Sequence, residues 1–291
     1  MAYSLPQDVD ERPVTIVGAG TLGRRIATVF AAGGTDVRVF DTSDEQLEAG
    51  RDHVEQHVTE VQQALDLRPD RIGRVDGAGD LARAVDGAWL VIESVTERVD
   101  VKTDVFGELD RVAAPDAVLA TNSSSLPSRL LIDKVEHPER VLNMHYQQPP
   151  ELNAVELMSC GSTDDAVIDA LMDKLPEYGL VPFRVRRESD GFIFNRIWAS
   201  IKRECLMVVE EGVASPEDVD EMWRIFTRPG VAPFELMDRV GLDVVLAIEE
   251  HYADVRPGIP EGPRKLLRQY VDEGRLGVKS GRGFYDDYTD C

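Results

Sequence analysis

A short β-forming run, Val14-Thr15-Ile16-Val17, leads into Gly18-Ala19-Gly20-Thr21-Leu22-Gly23 and then into a helical stretch from Thr21 to Ala32. Nothing else in the chain restricts its fold as strongly. Three glycines at that spacing, between a strand and a helix, have separate tasks. The first allows a tight turn, the second lets the backbone approach a pyrophosphate, and the third lets helix and strand pack closely. The helix N-terminus then stabilises the phosphate charge. A second strand, Val37–Phe40, ends at Asp41, about 20 residues on, where an acid is expected to accept hydrogen bonds from ribose hydroxyls. That carboxylate would repel a 2′-phosphate. The ligand expected on Gly18, Gly20, Thr21, Leu22, Gly23 and Asp41 is therefore NAD rather than NADP.

The rest of the first half continues the alternation. A polar helix fits Asp44 to Leu65. Trp89–Ile92, Val118–Thr121, Val141–Met144 and Val181–Val185 read as strands, and helical stretches near Leu81–Val85 and Asp100–Val112 separate some of them. Short apolar strands with intervening helices predict a mostly parallel sheet covered on both faces. Beyond Val185 the strand signal fades. A long helix is predicted from Phe192 to Glu211, with Ile193, Ile197, Ile201 and Cys205 as a buried stripe. Further helices are expected after Ser215-Pro216, over Leu242–His251 and over Arg264–Glu273. The fold class is α/β: a Rossmann-like NAD-binding domain over residues 1–187, then an all-helical domain over residues 188–291 for substrate binding and dimerisation. Substrate is expected in the cleft between them.

Charge and cysteine usage exclude several functions. The 54 acidic residues outweigh the 32 basic ones, for a net charge of −22. Such a surface repels phosphate backbones, so nucleic acid is not an expected partner. It suits a well-solvated protein, and also adaptation to a high-salt habitat. Cys160, Cys205 and Cys291 are far apart and form no CxxC pair, so neither a zinc ribbon nor a dithiol redox site is indicated and no metal is expected. Cys205 reads as a small core residue. No apolar run approaches the roughly 18–20 residues needed to span a bilayer. Met1–Arg12 is polar and acidic, unlike a secretory signal. These features predict a cytoplasmic protein with no membrane partner.

A nicotinamide cofactor implies hydride transfer, and oxidising a secondary alcohol also releases a proton. A side chain titrating near neutrality should take it, and histidine is the natural choice. Of the five histidines, His53 and His57 lie on the polar helix, His137 precedes a proline, and His251 sits in a late helix. His145 alone ends a core strand, where open α/β sheets bind ligands.

Four separated segments, together with Pro233–Asp238, Val240–Asp243 and Gly281–Tyr285, resemble the 3-hydroxyacyl-CoA dehydrogenase family. The four are the nucleotide loop with Asp41; Asn122-Ser123-Ser124-Ser125; His145 with Val155-Glu156; and Gly191-Phe192-Ile193-Phe194-Asn195-Arg196. The resemblance runs from about Val14 to Tyr285. It implies an NAD-dependent enzyme interconverting a 3-hydroxyacyl compound and its 3-keto form. His145 would be the general acid/base, oriented by Glu156. Ser124 and Asn195 would contact substrate near the reacting carbon. Asn122, Glu97 and Lys102 would lie near the cofactor. It also implies a homodimer.

Three departures bear on the substrate. His145-Tyr146-Gln147-Gln148-Pro149 stands where the family commonly shows His-Phe-Phe-Asn-Pro, so Gln148 replaces a substrate-holding asparagine. The helix after Asp41 is acidic, carrying Asp44, Glu45, Glu48, Asp52, Glu55 and Glu60, where basic groups usually help hold coenzyme A. Asp190 precedes Gly191-Phe192, where proline is common. Relatives acting on free hydroxy acids, such as L-gulonate and carnitine dehydrogenases, offer a second expectation, with Arg228 as the group that would clamp a carboxylate. A third is a non-catalytic NAD-binding protein, structural or sensing.

Overall fold

The computed structural model describes residues 4–227, 232–286 and 288. The chain divides into two compact units, Met1–Ile193 and Phe194–Cys291.

The first unit is an eight-stranded sheet in the order β3-β2-β1-β4-β5-β6-β7-β8. Its strands are β1 Val14–Val17, β2 Val37–Phe40, β3 Val75–Gly77, β4 Leu90–Glu93, β5 Val118–Thr121, β6 Val141–Gln148, β7 Leu152–Ser159 and β8 Val181–Val185. The first six run parallel in the order of a doubly wound dinucleotide-binding sheet. Strands β1, β4 and β5 are buried along their whole length, as both-face coverage requires. Helices α1 Thr21–Ala32, α2 Asp44–Ala64, α3 Leu81–Val85, α4 Val99–Val112 and α5 Asp165–Lys174 complete the unit. One core joins Ile16, Ile26, Phe30, Leu90 and Met144; the other joins Val17, Val91, Phe106, Leu109 and Leu119.

Strand β7 departs from the expected pattern. It pairs antiparallel with β6, and this places His145 directly opposite Glu156. The parallel β8 then pairs with β7.

The second unit contains α6 Phe194–Glu210, α7 Pro216–Thr227, α8 Pro233–Val240, α9 Leu242–Val255 and α10 Gly262–Asp272. Its core gathers Leu206, Phe234, Met237, Leu242, Leu267 and Phe284. Cys205 is buried there, as expected of a small core residue. The Tyr285 hydroxyl donates to buried Asp220, whose carboxylate also caps the start of α8 by accepting from the Phe234 and Glu235 amides.

The predicted isoleucine stripe needs correction. Ile193 and Ile197 are exposed, Ile201 is half-buried, and only Cys205 is enclosed. A spacing of four residues advances about 40° per step around a helix. The stripe therefore starts outside and winds inward, and the inward face is instead Ala199, Lys202 and Leu206. The helix also starts two residues later than read. Phe192 has φ of +53°, a left-handed conformation that cannot lie within a right-handed helix.

Candidate active site

The glycine loop is built as its spacing demands. Gly18 has φ of +107°, and a Cβ there would come within 2.6 Å of the Ser94 carbonyl oxygen. A Cβ at Gly23 would lie 2.0 Å from the Gly18 oxygen, so only glycine lets α1 close onto the loop. Gly20 differs: a Cβ there would meet nothing within 4 Å. That side of the loop is open, which is the space a pyrophosphate needs. Thr21 and Leu22 form the first turn of α1, which has no side-chain cap on its amides. The Asp41 carboxylate accepts from the Ala19 amide at 2.8 Å and the Ser43 amide at 2.9 Å. Each oxygen keeps a lone pair for a ribose hydroxyl, so the cradle fits NAD. Gly20→Ala is a clean test, because the methyl clashes with ligand and not with protein. The melting temperature should hardly change, while NAD affinity should fall by roughly tenfold or more, about 1.4 kcal/mol. Titration of cofactor fluorescence reads the result; undiminished affinity would place the pyrophosphate elsewhere.

Beyond β4 lies a network that the sequence only partly signalled. Glu93, fully enclosed, accepts from the Val95 amide at 2.6 Å, Lys102 Nζ at 2.7 Å and the Thr121 hydroxyl at 2.7 Å. Burial pushes its carboxyl above the usual range, against the pull of Lys102. Lys102, itself 1% exposed, also donates to the Val95 carbonyl and pairs with Glu97 at 3.3 Å. Lys102 is thus enclosed by protein groups, while Glu97 stays half-exposed. Partial burial raises the Glu97 carboxyl, but hydrogen bonds from Ser123 and Ser125 and the charge of Lys102 hold it below its ordinary value.

This network sorts the three serines. Ser123 and Ser125 both donate to Glu97. Ser124 is exposed, and no described residue bonds its hydroxyl. Asn122 laces neighbouring strands, accepting from the Tyr146 amide at 3.2 Å and donating to Ser94 Oγ at 3.3 Å. A residue missed in the sequence, Asn143, holds the far end of this loop: it accepts from the Ser128 amide at 2.7 Å and donates to the Leu126 carbonyl at 3.0 Å. Its only sequence signal was a polar side chain inside an apolar strand.

His145 and Glu156 meet across the β6–β7 ladder. Nδ1 lies 2.8 Å from Glu156 Oε2, and both residues are 3% exposed. With the carboxylate ionised and the ring neutral, Nδ1 donates this bond and Nε2 carries the free lone pair. The second carboxylate oxygen, Oε1, accepts from the Ile193 amide at 2.7 Å. Phe192 stacks on the imidazole with ring centres 4.6 Å apart. The left-handed Gly191 and Phe192 thus deliver an aromatic wall and an amide to the pair. Gln147 reaches Glu156 at 3.4 Å, while Gln148 is exposed at the end of β6, where the ladder register shifts.

Asn195 occupies the first turn of α6, half-buried, in the second unit. Arg228 lies outside the described residues.

Residues 13–189 match the 3-hydroxyacyl-CoA dehydrogenase NAD-binding domain, and residues 191–287 match the C-terminal domain of the same family. The chain belongs to the 3-hydroxyacyl-CoA dehydrogenase family. A 3-hydroxybutyryl-CoA dehydrogenase of Mycobacterium tuberculosis is 36% identical over 279 residues, covering 94% of this chain and 97% of its own. The 5-formyl-3-hydroxy-2-methylpyridine 4-carboxylate 5-dehydrogenase of Mesorhizobium japonicum is 30% identical over 94% of this chain and 90% of its own. The crystal structure of (S)-3-hydroxybutyryl-CoA dehydrogenase from Ralstonia eutropha superposes with a TM-score of 0.84 at 30% identity, covering 96% of this chain and 99% of that one. As in other 3-hydroxyacyl-CoA dehydrogenases, the first unit is the NAD-binding domain and the second is helical. Among the described residues no helix is long and apolar enough to cross a membrane.

Proposed function

We propose that this chain catalyses NAD-dependent interconversion of a 3-hydroxyacyl compound and its 3-keto form, with His145 as the general acid/base. The buried His145–Glu156 pair carries this reading. When bound, NAD supplies the hydride acceptor, and the protein must handle the remaining proton. His145 Nε2 takes it from the substrate hydroxyl. Glu156 fixes the tautomer through Nδ1 and stabilises the imidazolium that forms. Phe192 excludes water from one ring face. Ser124 contacts the substrate oxygen, Asn195 bonds substrate near the reacting carbon, and Gln148 is a further substrate contact. Asp41 selects NAD; Asn122 and Glu97, backed by Lys102, shape the nicotinamide end.

The similarity to 3-hydroxybutyryl-CoA dehydrogenases supports a thioester substrate. A small free hydroxy acid is the second reading. It is favoured by the exposed acidic residues on α2, which would repel a nucleotide carrier, and by similarity to a dehydrogenase named for a pyridine carboxylate. The chain works as a homodimer: Phe194, Ile197, Met222, Ile225 and Phe226 are exposed on α6 and α7, and a solitary chain would leave this apolar surface wet. The cytoplasm suits its buried, unpaired Cys160 and Cys205.

The test is NADH formation with 3-hydroxyacyl thioesters and free 3-hydroxy acids, repeated with NADP, alongside sedimentation of the protein. NAD should be strongly preferred, and Asp41→Ala should narrow that preference. Equal use of both cofactors by the wild type would overturn the role given to Asp41. Turnover of neither substrate class would overturn the function, and a monomer would remove the dimer.

A further inference from the structure

The inward face of α6 carries a residue that does not belong in an apolar core. Lys202 is 4% exposed and sits between Ala199 and Leu206, which are 1% and 0% exposed. No described residue forms a hydrogen bond or ion pair with its ammonium. The nearby carboxylate of Glu249 is fully buried and already bonded by Arg203 Nε at 3.0 Å. Two cations therefore share one carboxylate, and Lys202 has no counter-ion of its own among the described residues. Burial pulls the Lys202 ammonium down to about 8, with Arg203 lowering it further and Glu249 opposing them, so it remains mostly charged near neutrality. A mostly buried charge without its own counter-ion is costly unless something pairs with it.

Its position indicates what does. Lys202 lies seven residues after Asn195, within about 20° around the helix and roughly 10 Å along it. Helical side chains lean toward the N-terminus, which brings the ammonium back toward the Asn195 turn. The residue between them on this face is the small, buried Ala199.

We propose that Lys202 is the recognition group for a carboxylate carried by the substrate, on the same face of α6 as the Asn195 amide. This rests on the reading of the chain as a 3-hydroxyacyl dehydrogenase in which Asn195 contacts substrate. The carboxylate has two sources: the acid group of a free hydroxy acid, or the far end of an acyl thioester.

Three substrates separate them: 3-hydroxybutyrate, the neutral N-acetylcysteamine thioester of 3-hydroxybutyrate, and the N-acetylcysteamine monothioester of 3-hydroxyglutarate. Lys202→Met should raise KM for a carboxylate-bearing substrate by roughly 10- to 100-fold, the scale of one charge-assisted hydrogen bond. Its kcat should hold, the neutral thioester should be unaffected, and Lys202→Arg should keep most of the affinity. A loss confined to 3-hydroxybutyrate identifies a free acid; a loss confined to the monothioester identifies a distal carboxylate. Lys202→Met should melt no lower than the wild type, since it removes a buried charge. If it fails to fold, Lys202→Gln carries the same comparison. A wild type that oxidises these compounds while the variant shows unchanged KM, or an equal change for all three, overturns the Lys202 assignment alone. A wild type that binds NAD yet oxidises none of them overturns both this assignment and the function it rests on.

Discussion

His145→Gln is expected to lower turnover by roughly 100-fold or more, the usual contribution of general acid–base catalysis, while NAD affinity stays at the wild-type level. Glutamine keeps a polar group beside Glu156 but cannot accept a proton near neutral pH. The glycine loop and Asp41 lie on other strands and keep their bonds. Glu156→Gln should cost less, because the amide can still hold the ring by hydrogen bonding, yet it no longer stabilises an imidazolium. Its rate should fall moderately and its pH profile should move. Steady-state kinetics and cofactor titration measure both variants. Near wild-type turnover by His145→Gln would mean that another group takes the proton.

The second large effect falls on stability. Lys102→Met should destabilise the first unit by about 3–5 kcal/mol, the range for breaking a buried ion pair from one side. Glu93 would keep the Val95 amide and the Thr121 hydroxyl but lose its only counter-charge among the described residues closer than 4 Å. At 2–4 °C per kcal/mol for a unit of this size, the melting temperature should drop by about 10 °C. The pH dependence has a definite sign. Burial already raises the Glu93 carboxyl, and without Lys102 it rises further. A raised carboxyl binds protons more readily in the folded state, so the penalty is largest at high pH and shrinks as pH falls toward the ordinary carboxylate range. Glu93→Gln combined with Lys102→Met should recover much of the loss, since no charge remains to be buried. A melting temperature unchanged by Lys102→Met would show the pair to be energetically silent.

These two sites differ in how far the sequence revealed them. The nucleotide loop was legible because strand, glycines, helix and acid are local, and each has a steric or electrostatic reason within about thirty residues. Strands β1, β2, β5 and β8 and helix α3 lie where their apolar runs placed them. His145 stood out as the one histidine following an apolar strand run, although β6 continues past it to Gln148. Its pairing with Glu156 was reached only through resemblance. Strand β7 reverses direction after Pro149-Pro150, in a region otherwise read as parallel, and the cross-strand register is a non-local fact. Strand β3 has three half-buried or exposed residues and thus no periodic signal. Glu93 lies just past the apolar run Trp89–Ile92 and drew no reading of its own; only the folded sheet shows that Lys102, nine residues on, returns to neutralise it. The isoleucine stripe misled because spacing by four drifts around the helix, so it gave no hint that Lys202 lies on the inward face.

In the proposed mechanism, hydride leaves the carbon bearing the 3-hydroxyl while His145 takes the proton. Substrate deuterated at that carbon tests it most directly. Wild-type protein, NAD and 3-deuterated 3-hydroxybutyryl-CoA, or the corresponding free acid, should yield one deuterium in the reduced cofactor per 3-keto product formed. Reduced cofactor without deuterium, or loss of the label to water, would contradict the account.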